Sequence, residues 1–314
     1  MPHWDIKKDM PDCTGKVAIV TGGNTGIGLE TCRYLALRNA KVYMASRTES
    51  RALAAIEKIN TENPEIKSEG KPGIEWLPLD LVSIKSCQNA AKTFLEKEKR
   101  LDILINNAGI MAVPYELTAE GTEIQFQSNH FGHFAFTVPL LPTLIETSKE
   151  PNSSVRIVQL TSRGHQMAPS KISFKSLEDV NRDFGSTWTR YGQSKLANIL
   201  FSKELSKRLE NENIYCSAVH PGVVNTELVR GPMQTYPWAK PLAKLTSWFL
   251  ITPYDGALTT LYTATSPDLK TNNWRGEYFV PYGKKDTPSA PAQDSQLAAD
   301  LWALSEKFVE ERSK

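Results

Sequence analysis

Two side chains four residues apart, Tyr191 and Lys195 in the stretch YGQSK, put a phenol and an ammonium one helical turn from each other. Such a pair can hold a proton and release it, because a neighbouring cation favours the ionised phenol. It can equally be two solvated side chains on a helix face, the commoner fate of this spacing. Ser162 stands just past an apolar, β-branched run, VRIVQLT at 155–161. A hydroxyl there can orient a reacting oxygen or cap a turn.

Glycines form the next group. VTGGNTGIG, residues 20–28, follows one strand-like run and opens a helical pattern. The spacing Gly22-x-x-x-Gly26-x-Gly28, with Asn24, Thr25 and Ile27 between, permits a tight turn and a close approach to a pyrophosphate. The free N–H groups and positive dipole end of the following helix add to that attraction. Glycine-rich turns after strands are also ordinary punctuation. No Lys-Ser/Thr follows Gly28, which disfavours a nucleoside-triphosphate P-loop.

The second strand ends in Ser46–Arg47, 19 residues past Gly28. An NAD-preferring fold carries an acid near this point; a guanidinium favours the 2′-phosphate of NADP. An exposed arginine at a strand end is the alternative. Asp80–Leu81 closes the third strand, where the acid suits an adenine amino group, an N-cap of the next helix, or both. The fourth strand runs into NNAG, Asn106 to Gly109, which alone reads as a turn.

The elements that must position these residues alternate along the chain. Strand candidates are 16–20, 41–46, 74–79, 102–106, 155–161, 214–220 and 277–280; helical patterns lie near 26–38, 48–60, 83–98, 120–148, 190–211, 254–264 and 293–311. Strands apolar on both faces and separated by helices indicate a parallel sheet covered on both sides. The expected fold is α/β, a single doubly wound Rossmann domain over 1–314 with a mostly parallel seven-stranded sheet. Its dinucleotide-binding half is about 14–150, and its catalytic and substrate-binding half about 151–314. Two long connections, 163–189 and 227–252, break the alternation; they serve the site or cover the sheet edge.

Composition narrows the class. The chain has 314 residues, 40% hydrophobic and 23% charged, with a net charge of +2 and no basic block, so nucleic acid has no electrostatic foothold. Cys13, Cys32, Cys87 and Cys216 are scattered without a C-x-x-C pair, which argues against a disulfide framework or a metal site. The first twenty residues lack a signal-peptide pattern, and no apolar run reaches transmembrane length. The expectation is a soluble cytoplasmic protein.

Taken in order, TGGNTGIG (21–28), Asp80, NNAG (106–109), Asn129, Ser162, YGQSK (191–195) and HPGVVNT (220–226) resemble the short-chain dehydrogenase/reductase family over nearly the whole chain. SKLANILFSKELSKRL and the long stretch between Ser162 and Tyr191 resemble its retinol-dehydrogenase and WW-domain-oxidoreductase branch, whose members act on varied lipophilic or aromatic carbonyls. The membrane anchor of many retinol dehydrogenases is not found, and no WW domain precedes the fold. The resemblance implies an NADP(H)-dependent oxidoreductase of CH–OH groups with a tetrad of Asn129, Ser162, Tyr191 and Lys195. Tyr191 is the implied general acid/base, its pKa lowered by Lys195 and by oxidised nicotinamide. Ser162 orients the substrate oxygen. Lys195 also holds the nicotinamide ribose, and Asn129 holds a water that links Lys195 to solvent. Cofactor contacts fall to Gly22, Asn24, Thr25, Gly26, Ile27, Gly28, Arg47, Asp80, Leu81, Asn107, Ala108, Gly109, Tyr191, Lys195, Pro221, Gly222, Val224 and Thr226. No metal is implied. His130 and His133 read as packing residues without a role.

The competing class is a non-catalytic NADP(H)-binding sensor or scaffold on the same fold; such proteins commonly lose the tyrosine or the lysine, and both are present here. An epimerase or dehydratase of the extended branch would need a larger substrate domain. Many relatives pair through the helices around 120–148 and 190–211, so a homodimer or homotetramer is expected. Leu228, Met233, Tyr236, Trp238, Trp248, Phe249 and Leu250 make the 227–252 segment an apolar lid over a small lipophilic substrate, a packed or subunit contact, or a peripheral membrane contact.

Overall fold

The run VAIVT is apolar on both faces and needs cover on both, so it sits in the middle of a sheet with all five residues buried. A computed structural model describes residues 4–224, 232, 235 and 250–313. In it, β1 (Val17–Thr21), β2 (Lys41–Ser46), β3 (Ile74–Pro78), β4 (Ile103–Asn106), β5 (Val155–Leu160), β6 (Ile214–Val219), β7 (Glu277–Val280) and β8 (Lys284–Asp286) form one sheet ordered β3-β2-β1-β4-β5-β6-β7-β8. The first seven strands are parallel. The expected seven-stranded sheet is therefore corrected to eight. The added strand, KKD, pairs antiparallel with β7 and is wholly exposed, so it carries no apolar pattern to read. A short charged edge also discourages pairing with another chain.

Each face of this Rossmann-like sheet has its own apolar core. One face is covered by helices α1 (Gly26–Leu37) and α2 (Glu49–Glu62), by Pro253–Thr265, and by Ile6 and Met10 from the N-terminal residues. The other is covered by α3 (Ile84–Lys97), by the run 124–148, and by helices Thr187–Arg208 and Ser295–Arg312. The order reverses at β1, which has β2 on one side and β4 on the other, and doubly wound sheets bind ligands at the carboxyl ends beside such a reversal.

Several boundaries moved for identifiable reasons. The expected helix 120–148 starts at Ile124, because the Glu123 side chain accepts from Phe126 N. It then widens into a π-helical turn, Gln127–Phe131, in which Gly132 N donates to Gln127 O. The helix carrying Tyr191 and Lys195 starts at Thr187, three residues before the pattern suggested, because Ser186 caps it by accepting from Thr189 N. The 163–189 connection is not structureless: it holds a 3-10 turn, Arg163–Met167, and a short helix, Leu177–Asn181, begun by a Ser176/Asp179 capping box. Asp80 does not cap α3; the cap is Ser83, whose hydroxyl accepts from Ser86 N.

Helix Ser295–Arg312 lies across the two helices expected to join subunits. Phe308 stacks on Phe131 at 4.2 Å, Trp302 meets Phe134 at 5.0 Å, and the Arg208 guanidinium lies 4.1 Å from the Trp302 ring. The aromatic side of 124–148 and Thr187–Arg208 is thus covered from within the chain. Of the expected lid, only residues 232, 235 and 250–252 fall within the described residues, and Thr226 lies outside them. Among the described residues no helix is long and apolar enough to cross a membrane.

Candidate active site

Ser162 leaves the carboxyl end of β5 and caps the 3-10 turn, its Oγ accepting from Gly164 N at 3.0 Å. Helix Thr187–Arg208 brings Tyr191 and Lys195 to the same place, 3% and 4% exposed. The Ser162 side chain lies close enough to the Tyr191 hydroxyl to favour its ionised form. Two glycines let these elements meet. A Cβ on Gly164 would lie 2.8 Å from Tyr191 Cε1, and one on Gly192 would lie 2.7 Å from the main chain at 167–168. Trp188 stands edge-on to Tyr191 at 6.5 Å between ring centroids.

Lys195 Nζ donates to Leu160 O at 3.2 Å and lies 5.8 Å from the Tyr191 ring centroid. Burial pushes the Lys195 ammonium down to about 8. Burial also pushes the Tyr191 phenol up to about 12, with the Ser162 side chain pulling the other way. The expected lowering by Lys195 together with oxidised nicotinamide concerns the cofactor-bound site. Among this chain's own groups desolvation is the largest influence on the phenol, and it favours the protonated form.

Asn129 sits in the π-helical turn, a feature that recurs at functional sites. Its side chain is fully engaged with protein: Ile110 N donates to Oδ1 at 2.8 Å, while Nδ2 donates to Ile110 O at 3.0 Å and to Ser194 Oγ at 2.9 Å. Gly109 passes between the tetrad members. A Cβ there would come within 3.1 Å of Asn129 Oδ1 and 3.2 Å of Lys195 Nζ. All four expected tetrad residues are brought together.

The described residues expected to hold the cofactor gather at the carboxyl ends of the strands around that reversal. Helix α1 begins at Gly26, and its N-cap Thr25 makes no side-chain cap bond, which leaves first-turn N–H groups available to an anion. Gly28 abuts the NNAG turn: a Cβ on it would strike Gly22 O at 2.3 Å and Asn107 Nδ2 at 2.6 Å. Asn107 Nδ2 donates to Thr21 O, and Asn107 N and Ala108 N both donate to Thr21 Oγ1. Arg47 is exposed beyond β2. Its neighbour Ser46 is buried, with a hydroxyl that has no partner. Asp80 Oδ1 accepts from Val82 N. Leu81 O packs so closely on helix 124–148 that a Cβ on Gly132 would lie 2.2 Å from it. On the far side Gly222, after Pro221, takes φ +98°, and Val224 pairs with Ile251. Val224 and Ile27 both close on Gly256. These residues fit a dinucleotide: uncapped helix N–H groups, crowded glycines and an exposed cation at the 2′ corner.

Thr21 and Ser194 belong to the same construction, as does His133, which the sequence alone reads as packing. For His133 the only signal was its position four residues after Asn129, on the same helix face.

The family model described as short chain dehydrogenase matches residues 16–174. A short chain dehydrogenase/reductase of Colletotrichum higginsianum is 40% identical over 98% of this chain and 77% of its own length. The chloroplastic short-chain dehydrogenase TIC 32 A of Brassica napus is 40% identical over 95% of this chain and 90% of its own. A crystal structure from Mycobacterium paratuberculosis, titled as an uncharacterized protein, superposes with a TM-score of 0.74 at 33% identity, covering 98% of each chain.

Proposed function

The chain belongs to the short-chain dehydrogenase/reductase family, and from that premise we propose that it is an NADP(H)-dependent oxidoreductase acting on a lipophilic or aromatic carbonyl or alcohol. The observation that carries the reading is the convergence of Ser162 with the buried Tyr191 and Lys195 at the carboxyl edge of the sheet, beside the reversal of strand order at β1.

A substrate oxygen there accepts from the Ser162 and Tyr191 hydroxyls, and the negative charge that grows on it during reduction is met by fixed donors in a dry site. The phenol, held protonated by burial, passes its proton to that oxygen. Lys195 keeps a cation one turn behind the phenol and steadies the ion left there. A nicotinamide cofactor supplies the hydride and, when oxidised, a positive charge that draws the phenol toward ionisation for the reverse reaction. Gly22, Asn24, Thr25, Gly26, Ile27 and Gly28 would hold its pyrophosphate. Asp80 and Leu81 would hold its adenine, Asn107, Ala108 and Gly109 its ribose side, and Pro221, Gly222, Val224 and Thr226 its carboxamide. Arg47 supports NADP over NAD, because a guanidinium pairs with the 2′-phosphate that NAD lacks.

A lipophilic substrate is supported by apolar side chains left exposed beside the reacting groups. Met167 is 41% exposed, and its methyl group comes as close to Gly164 as Ser162 Oγ does; Val223 is 67% exposed next to Gly222. A cytoplasmic location belongs to the same reading, supported by four buried, unpaired cysteines.

The test is NADPH consumption across aromatic ketones, quinones, retinal and polyketide-like ketones, with Tyr191→Phe beside the wild type. Turnover by the wild type and a fall of at least about a hundredfold in the variant are expected, with NADPH affinity nearly unchanged. NADPH binding without turnover on any carbonyl would favour the sensor reading instead.

A further inference from the structure

We propose that His133 is a positioning residue of this site: one imidazole ties the end of β1 and the NNAG turn to the main chain of Asn129. The inference rests on the oxidoreductase reading above and concerns a side chain that touches neither substrate nor cofactor.

Counting donors fixes the chain of hydrogen bonds. Thr21 Oγ1 has three neighbours: Asn107 N at 2.9 Å, Ala108 N at 3.0 Å and His133 Nε2 at 2.8 Å. The two backbone N–H groups can only donate, and together they use both acceptor positions of the hydroxyl. The hydroxyl proton must then go to His133 Nε2, which has to be unprotonated. At the other end of the ring, Nδ1 lies 3.0 Å from Asn129 O. A carbonyl only accepts, so Nδ1 must carry the proton. Two independent constraints select the same neutral tautomer, and every polar atom in the chain is satisfied.

Its members are placed where a shift would matter. Thr21, Asn129 and His133 are all fully buried. Thr21 directly precedes Gly22 of the pyrophosphate turn. The NNAG turn ends at Gly109, where an added Cβ would meet both Asn129 Oδ1 and Lys195 Nζ. Asn129 in turn grips Ile110 and Ser194, and the Ser194 hydroxyl donates to Tyr191 O. A π-helical turn has looser internal geometry than an α-helix, so Asn129 gains from an anchor outside its own helix. A second proton on His133 would confront the Thr21 hydroxyl with a third donor. The charged groups facing the ring are Lys195 and, when protonated, His130, and both disfavour that proton. Burial disfavours it more strongly still.

Three variants and one spectrum test this. His133→Phe keeps the ring and removes both nitrogens. His133→Asn returns a donor near Nδ1 and nothing at Nε2. Thr21→Val removes the hydroxyl. With NADPH saturating, His133→Phe is expected to lower kcat on the order of tenfold with the carbonyl KM little changed, and His133→Asn, which restores only the Asn129 end of the tie, to recover little of that loss. Adding His133→Phe to Thr21→Val should cost less than adding it to the wild type, because both act on one chain. Nitrogen NMR of the wild type should show His133 as the neutral Nδ1–H form between about pH 5 and 8. The opposite tautomer, or a ring that titrates in that range, overturns the assignment whatever the enzyme does. Wild-type turnover is measured first. Its absence would count against the oxidoreductase reading, whereas a turning-over wild type matched in kcat by His133→Phe would overturn the positioning role.

Discussion

Gly192→Ala places a methyl group between two backbones. The new Cβ would lie 2.7 Å from Ala168 N and from Met167 C, and 2.8 Å from Gly164 O, where ordinary contact starts near 3.4 Å. All three atoms are main chain, so no side chain can rotate out of the way. The helix carrying Tyr191 and Lys195 must part from the turn carrying Ser162 by roughly 0.7 Å, since a close-packed interior has no void to take the methyl group. A misplacement of about 1 Å at reacting groups costs on the order of a hundredfold in rate, so kcat should fall roughly ten- to fiftyfold. Stability moves less. Overpacking costs about 1–3 kcal/mol, while alanine is favoured over glycine in a helix by about 1 kcal/mol. Gly192 does not border the glycine motif or the NNAG turn, so NADPH affinity should hold. The assay is steady-state kcat and KM on the best carbonyl from the panel, with NADPH binding measured separately by fluorescence and folding checked by thermal melting. A folded Gly192→Ala protein with wild-type kcat would show that the close contact does not set the Ser162–Tyr191 geometry.

Arg47→Ala should bring the preference for NADPH over NADH, on the order of ten- to a hundredfold for an exposed charge-assisted contact, toward parity; kcat/KM with each cofactor reads it. Ser46→Asp is the poorer route to that switch, because the Ser46 hydroxyl is enclosed and a carboxylate there would be buried unpaired; the variant should melt earlier than wild type. Burial pushes His130 down to about 3 and His133 to about 4, from the ordinary 6.5. The folded pKa values are depressed, so the unfolded chain takes up these protons first. Stability is fully present above about pH 6.5 and is lost as pH falls toward 4, with a slope of about 1.4 kcal/mol per pH unit for each histidine. Denaturant midpoints at pH 7, 6 and 5 check this, and a flat profile there would contradict it.

Where a property belongs to a short run of residues, the sequence displayed it. KVYMAS and EYFV fall on β2 and β7 residue for residue, because apolar β-branched runs between helices have few other uses. That Asn129, Ser162, Tyr191 and Lys195 would come together was legible from motif order, and the glycine motif from its place between the first strand and the first helix. Properties set by three-dimensional surroundings were not. KKD becomes a strand only because β7 offers an open edge. The Tyr191 phenol rises because its neighbours exclude water, an effect that the Tyr–Lys spacing does not encode. Asp80 looked like a helix cap, yet three residues further on Ser83 performs that task. His133 looked like packing because nothing in a linear reading brings Thr21, 112 positions earlier, beside its ring.

The cover that Ser295–Arg312 lays over Phe131, Phe134 and Phe201 has a consequence for how the chain is made. His130 and Ser305, which meet in that contact, are 175 positions apart, so the seal is among the most non-local in the molecule. Such contacts close late, because the loop entropy must be spent before they return anything. During synthesis at about 5–20 residues per second, the roughly 90 residues between the helix that ends at Arg208 and its cover take on the order of 5–20 s to emerge. Through that interval a cluster of phenylalanines stands open on a nascent chain, a substrate for chaperones and for its own neighbours. Yield from rapid expression should therefore depend on the last helix more steeply than the folded protein's stability does.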